Sequence, residues 1–169
     1  NAVVTVPSAP SLQLTTGMTL EAWVYPTGGL SGWRAVIDKN VDRYYLMASS
    51  NPSNRPAVGG AWTAGNQNTA GPAGLALDTW THLAATFDGA TVRLYVNGAL
   101  VASQAQTTPL ASTTGTLQIG ADSYGEFFAG RIDEVRIYNR ALTPAQIQAD
   151  MTTPVAPISQ LPDLTLAKS

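Results

Sequence analysis

The sequence predicts an all-β protein: a two-sheet antiparallel jelly-roll sandwich with one short C-terminal helix. Three observations predict it. Apolar residues recur with a period of two through much of the chain, hairpin dipeptides separate the alternating runs, and one helix-start signature stands near the end.

A first strand is expected near residues 2–6. "MTLEAWVYP" then puts Met18, Leu20, Ala22 and Val24 on one face, with Thr19, Glu21, Trp23 and Tyr25 on the other. "ATVRLYVNG" does the same with Val92, Leu94 and Val96 against Arg93 and Tyr95. Such runs read as half-buried strands. "WTHLAATF" is apolar on both faces and reads as a more central strand. Asp88-Gly89 and Asn97-Gly98 are hairpin signals, because a type I′ turn needs positive φ at both central residues. They predict a meander over 80–87, 91–96 and 99–105. Further strands are expected near 34–38, 44–49, 56–61, 116–120 and 128–139. Thr143, Pro144 and Gln146 supply an N-cap, a first-turn proline and a capping-box partner, so a helix is predicted over 144–150.

Two stretches stand apart. Residues 50–74 are rich in Gly, Asn and Pro around Trp62 and read as a long, mobile or functional loop. Residues 152–169 are proline-rich and without sandwich periodicity, and read as a linker or tail toward a following domain. The sandwich domain itself is expected over 1–151.

Composition narrows function. The chain has 169 residues, enough for one domain without a covalent staple. Charged residues are 12 %, against roughly 25 % in average soluble domains. Such a surface suits neutral polar partners better than ionic ones. The net charge of −2 and the lack of a basic cluster argue against nucleic acid and anionic lipid. No apolar run approaches the roughly 20 residues of a spanning helix, so membrane insertion is not expected. The chain contains no cysteine, which removes disulfides, thiolate metal sites and cysteine nucleophiles. It opens at Asn1 and reads as a mature or excised module.

Catalytic signals are weak. The one histidine, His82, lies inside a predicted strand and reads as a hydrogen-bonded sheet residue. Asp133 and Glu134 are strand neighbours pointing to opposite faces, and no strand carries acids at i, i+2 as a sandwich glycanase would. The domain is therefore not expected to be an enzyme. Asp133 raises a different question, because alternation places it beside Val135 and Ile137 on an apolar face. A carboxylate there needs N–H donors, as at a capped turn, or a cation such as calcium.

"MTLEAWVYP", "LDTWTHLAATFDGATVRLYVNGALV" and "LQIGADSYGEFFAGRIDEVRIYNRALTPAQI" stand in an order that resembles the laminin-G-like, concanavalin A-like jelly-roll family in its bacterial form. The resemblance covers about residues 2–151. It implies two packed antiparallel sheets, usually no catalysis, and binding of glycans or proteins, often with calcium. Related glucanases hold a structural calcium on an aspartate two residues before a valine in the last long strand, which "IDEVRIY" matches at Asp133. Laminin-G domains hold a rim calcium near the loop before that strand. In "ADSYGEFF" the corresponding residue is Asp122, which also suits a plain turn. The family's first strand usually begins earlier, and "PDLTLAKS" resembles the start of an immunoglobulin-like repeat of large bacterial surface proteins. Both imply one monomeric module of a longer extracellular or cell-surface protein.

On this reading the domain binds carbohydrate. Flat aromatics stack on sugars and amides read their hydroxyls. Trp33, Tyr44, Trp62 and Tyr124 are the aromatic candidates, with Asn66, Gln67 and Asn68 supplying amides. Trp62 is expected as an exposed platform; Trp33 and Tyr44 also suit core or edge packing. The alternatives are an adhesion or spacer module that contacts a surface protein, and a fragment of a polysaccharide-active enzyme.

Overall fold

In the computed structural model, which describes residues 2–155, eleven strands form two stacked antiparallel sheets. The strands are β1 (Val4–Val6), β2 (Met18–Pro26), β3 (Arg34–Lys39), β4 (Tyr44–Ser49), β5 (Ala57–Trp62), β6 (Gly65–Ala70), β7 (Thr81–Phe87), β8 (Thr91–Val96), β9 (Ala99–Ala105), β10 (Leu117–Ile119) and β11 (Gly130–Tyr138). A 3₁₀ turn lies at Pro10–Leu12, and helix α1 spans Pro144–Thr152. The six-stranded sheet runs β1-β10-β3-β4-β5-β6 and the five-stranded sheet runs β11-β2-β7-β8-β9. The expected tail falls almost wholly outside the described residues.

The alternation in β2 and β8 sorts residues as the sequence implies. Met18, Leu20, Ala22 and Val24 meet Leu83, Ala85, Phe87, Val92 and Leu94 in the core between the sheets. Burial of apolar surface there, at about 25 cal/mol per Å², is the main force holding the layers together. Asn97 and Gly98 both have positive φ, as the β8–β9 hairpin requires. The β7–β8 turn is built differently: only Gly89 has positive φ, and the Asp88 carboxylate accepts the N–H groups of Ala90 and Thr91.

Three features depart from the sequence reading. The stretch 50–74 holds the strand expected near 56–61, as β5, but also an unexpected partner, β6, in a hairpin joined at Thr63-Ala64. Alternation in β5 then turns Val58 and Trp62 inward, so Trp62 is core, 3 % exposed, with its ring edge-on to Phe87 at 5.9 Å. Tyr44 is also core, and its hydroxyl donates to the Leu12 carbonyl. The third departure is in β11. Pairing jumps from Asp133 opposite Trp23 to Arg136 opposite Glu21, and Glu134 sits at φ 52°. This β-bulge reverses the alternation. Ile132, Val135 and Ile137 all pack on the core, while Asp133 is exposed on the outer face. Asp133 therefore does not share a face with Val135 and Ile137.

Helix α1 closes part of the five-stranded sheet's outer face. Its capping box is formed: Thr143 Oγ1 accepts the Gln146 N–H, and the Gln146 side chain accepts the Thr143 N–H. Ile147 and Leu142 pack on Ala84 and Tyr95. Also on this face lie Glu21 and His82, both fully buried, and the Tyr138 hydroxyl, which donates to Asp150.

Candidate functional site: an aromatic and acidic groove on the six-stranded sheet

Among the described residues no helix or strand covers the outer face of the six-stranded sheet, and the site lies there. In β4 the side chains of Tyr45 and Met47 point outward, opposite to Tyr44 and Leu46. They pack with Ala35, Ala57 and the half-buried Trp33, whose ring meets Tyr45 edge-on at 5.9 Å. Gly59 makes this arrangement possible, because a Cβ there would collide with the ring and hydroxyl of Tyr45.

Two neighbouring clefts share Asp42 and Tyr45. One, of about 260 Å³, is lined by Trp33, Asp42, Tyr45, Met47, Tyr124 and Glu126. The other, of about 290 Å³, is lined by Asp42, Tyr45, Gly60, Asn66, Gln67 and Asn68. Together they form a groove from the 121–129 loop across β4 and β5 to the edge strand β6. Tyr124, 61 % exposed, stands at its mouth.

Acidic side chains gather at one end. Asp38 lies opposite Tyr45 in register. Asp42 follows it on a turn in which Asn40, Val41 and Asp42 all hold positive φ. Left-handed backbone is unfavourable for these side chains, most of all for β-branched valine, and clusters at functional sites. The Asp42 N–H donates to Asp38 Oδ2 at 3.2 Å. From the other side, Asp122 Oδ1 accepts the N–H groups of Tyr124 and Glu126, and the Glu126 carbonyl accepts the Ala35 N–H.

These acids are poorly compensated. Asp38 Oδ1 and Asp122 Oδ2 are buried and meet no donor. What lies near them is other carboxyl groups. Burial, then the charge of Asp42, pushes the Asp38 carboxyl up to about 8. Burial, then Asp122, pushes Glu126 up to about 8. Asp42 is raised as well, first by burial. Asp38 and Glu126 thus favour a proton or a nearby cation over a bare carboxylate, with Arg34 opposing this only in part at Glu126.

Calcium suits an oxygen-only donor set of this kind. Among the described residues no three acidic or histidine side chains converge as a metal site would need. An ion held here would therefore draw on two carboxylates together with carbonyl oxygens and water. Asp133 does not suit calcium: it is exposed, its Oδ1 accepts the Glu134 N–H at the bulge, and Glu134 is paired with Arg136.

The structure thus brings Trp33, Tyr124, Asn66, Asn68 and Asp122 to one face, and places Trp62 and Tyr44 in the core. Sequence reasoning missed Tyr45, Asp38, Asp42 and Glu126. Their only signals were local: acids at i, i+4 in "DKNVD" and again in "DSYGE".

With the two-sheet frame and its groove described, kinship can be read. The sequence model Laminin_G_3, of the Concanavalin A-like lectin/glucanases superfamily, matches residues 1–148. This chain is a concanavalin A-like domain of that family. Among solved structures, the laminin-G-like chain resembles a candidate carbohydrate binding protein from Bacteroides ovatus (TM-score 0.75, 22 % identity, 93 % of this chain and 46 % of that one). It also resembles domain 4 of AbnA, a GH43 extracellular arabinanase from Geobacillus stearothermophilus, in complex with arabinotriose (TM-score 0.74, 20 % identity, 88 % and 71 % covered). At these identities the likeness shows the fold. A curated relative, Pappalysin-1 of Mus musculus, is 37 % identical over 79 residues, 44 % of this laminin-G-like chain. The match spans only 5 % of that protein's length. No helix among the described residues of the domain is long and apolar enough to cross a membrane.

Proposed function

We propose that this domain is a non-catalytic carbohydrate-binding module of a longer secreted or cell-surface protein, with calcium held at the acidic end of its groove. The observation that carries this reading is the groove itself. It offers the rings of Trp33 and Tyr124 for stacking over a floor that includes the buried Tyr45, the carboxyl groups of Asp42 and Glu126 for hydroxyls, and the amides of Asn66 and Asn68 beyond. That mixture fits a polyhydroxylated ring, apolar on its faces and polar at its edge. The arabinotriose complex of AbnA domain 4, on the same fold, supports it. Binding rather than cleavage is favoured because Glu126 and Asp122 lie within hydrogen-bonding reach of each other. Glycoside-hydrolysing pairs stand about 5 Å or more apart, to admit a sugar or a water.

A neutral-oligosaccharide library screened by titration calorimetry tests this. Trp33→Ala and Tyr124→Ala should each weaken the best binder by about tenfold, the loss of one stacked ring. Unchanged affinity in both variants, or release of new reducing ends during incubation, contradicts the proposal.

Asp122 and Asp38 are the proposed calcium ligands, with Asp42 and Glu126 beside them. When bound, the ion would neutralise carboxylates that otherwise repel and would hold the 121–129 loop against the sheet. A ligand bound only by the native state stabilises it by linkage. Calcium should therefore raise the melting midpoint by several degrees, a chelator should reverse this, and Asp122→Asn should abolish the response. A midpoint indifferent to both additions removes calcium from the account.

A further inference from the structure

A second set of aromatic and polar side chains lies on the opposite side of the molecule, on the outer face of the five-stranded sheet. Helix α1 covers only part of this face, over Ala84 and Tyr95. Beyond it, Trp23 and Tyr25 project from β2, and Trp80 enters β7 beside them, 40 % exposed. Trp23, Trp80, Asp133 and Glu134 line a cleft of about 280 Å³.

The rings are held in place. Trp23 packs on the buried His82 with ring centroids 5.4 Å apart, and Tyr25 packs on Trp80 at the same distance. Polar groups sit beside them by register. Asp133 is opposite Trp23, and Arg131 is opposite Tyr25 with its guanidinium 5.6 Å from the ring centroid. The β11 bulge is what turns Asp133 onto this face, with its carboxylate exposed; among the described residues no cation pairs with it.

We infer that the Trp23–Trp80 cleft is a second saccharide-binding site, on the face of the sandwich opposite the first groove. The occupant follows from the chemistry of the lining. Two indoles with flanking acids could also cage an ammonium group. Here, however, Glu134 is already paired with Arg136 at 3.0 Å, and the Arg131 guanidinium stands on the same face, over Tyr25, where it opposes a second cation. Asp133 is left as a hydrogen-bond acceptor beside the indoles, which suits a neutral ligand that stacks on rings and donates hydroxyls. A sugar residue does both. Trp80, 40 % exposed, and the half-buried Trp23 leave ring surface open at this cleft for such a ligand. With a site on each face, the module would bridge two glycan chains and gain avidity from their linkage.

The chain's four tryptophans make the test direct, because each gives one indole N–H signal in a ¹⁵N–¹H spectrum. The full chain is titrated with arabinotriose, xylotriose, cellotriose and mannotriose, to about 10 mM so that millimolar affinity is visible. The expected result is a saturable shift of the Trp23 and Trp80 signals with at least one sugar, while Trp62 stays still. Trp80→Ala, and separately Asp133→Asn, should weaken the shift at Trp23 by about tenfold and leave any response at Trp33 intact. Shifts at Trp33 alone would overturn this inference and leave the first groove standing. Shifts at Trp23 and Trp80 without Trp33 would uphold it and contradict the groove. It is also overturned if tetramethylammonium moves these signals and the sugars do not, or if nuclear Overhauser contacts place residues 156–169 of the chain itself on Trp80.

Discussion

Trp62→Ala should destabilise the domain by about 3–5 kcal/mol, without a specific loss of sugar affinity in the molecules that remain folded. Trp62 is 3 % exposed, lies edge-on to Phe87 and belongs to the central cluster. Its removal leaves a cavity between the sheets at a place where both walls are pinned strands and cannot collapse freely. Urea unfolding provides the measurement, with the fall in midpoint at unchanged slope giving the loss. Trp62→Phe should recover part of it. A variant that keeps the wild-type midpoint and loses glycan binding would mean that Trp62 is a platform after all and that β5 is registered one residue differently.

The second large effect concerns Glu21, on the five-stranded sheet. The residue is fully buried and neither carboxyl oxygen meets a donor. Burial, reinforced by the nearby Asp150, raises its pKa from 4.5 to about 8. A folded-state pKa above the unfolded one means that the native state holds a proton the unfolded state releases. The stability this group contributes is full below about pH 4.5, declines above it, and is lost as pH rises through about 8. Glu21→Gln keeps the shape of the neutral acid and removes the titration. The variant should match the wild type near pH 4.5 and exceed it by a few kcal/mol at about pH 9, an upper-end figure from linkage.

His82 works in the opposite window. Burial, then Arg136, lowers its pKa from 6.5 to about 4. Stability from this group is present above 6.5 and is lost as pH falls through about 4. Glu21→Gln should therefore leave the acid limb of the stability profile in place while making the alkaline limb shallower, with Asp38 and Glu126, also raised to about 8, keeping the rest of it. Chemical denaturation of both proteins across this range measures it. Parallel alkaline limbs would show that Glu21 is ionised in the native state.

The fold was readable because it is written locally. Alternation in "MTLEAWVYP" and "ATVRLYV" fixes which faces pack, and Asn97-Gly98 fixes one hairpin, with both residues at positive φ as that turn requires. The capping box at Thr143 and Gln146 fixes the start of α1. The site was readable only in part, for two physical reasons. The first is parity. Tyr44 and Tyr45 are adjacent, one inward and one outward, and nothing in the sequence says which. Trp62 was misplaced in the same way, because it is the last residue of β5, one beyond the strand expected near 56–61, in a glycine-rich stretch that reads as a loop. Of these glycines, Gly59 is the one that admits the Tyr45 ring, while a Cβ at Gly60 would meet the Arg43 carbonyl and Leu110.

The second reason is distance along the chain. Asp38 comes from the end of β3 and Asp42 from the turn that follows, while Asp122 and Glu126 come from the loop before β11, some eighty residues later. Only the sheet order, which places β10 beside β3, brings these segments together. The bulge at Glu134 was equally hidden, since a left-handed non-glycine residue has no reliable sequence mark. It converts Asp133 from an apparent inhabitant of the apolar face into an exposed residue beside Trp23.

A crystal structure of the domain grown with calcium and its tightest-binding oligosaccharide tests the central claim most directly. The account predicts a sugar ring against Trp33 and Tyr124, hydroxyls on Asp42 and Asn68, and a metal ion between Asp38 and Asp122. Sugar density lying only away from the six-stranded sheet, with the four acids in their present arrangement and no ion among them, would contradict it.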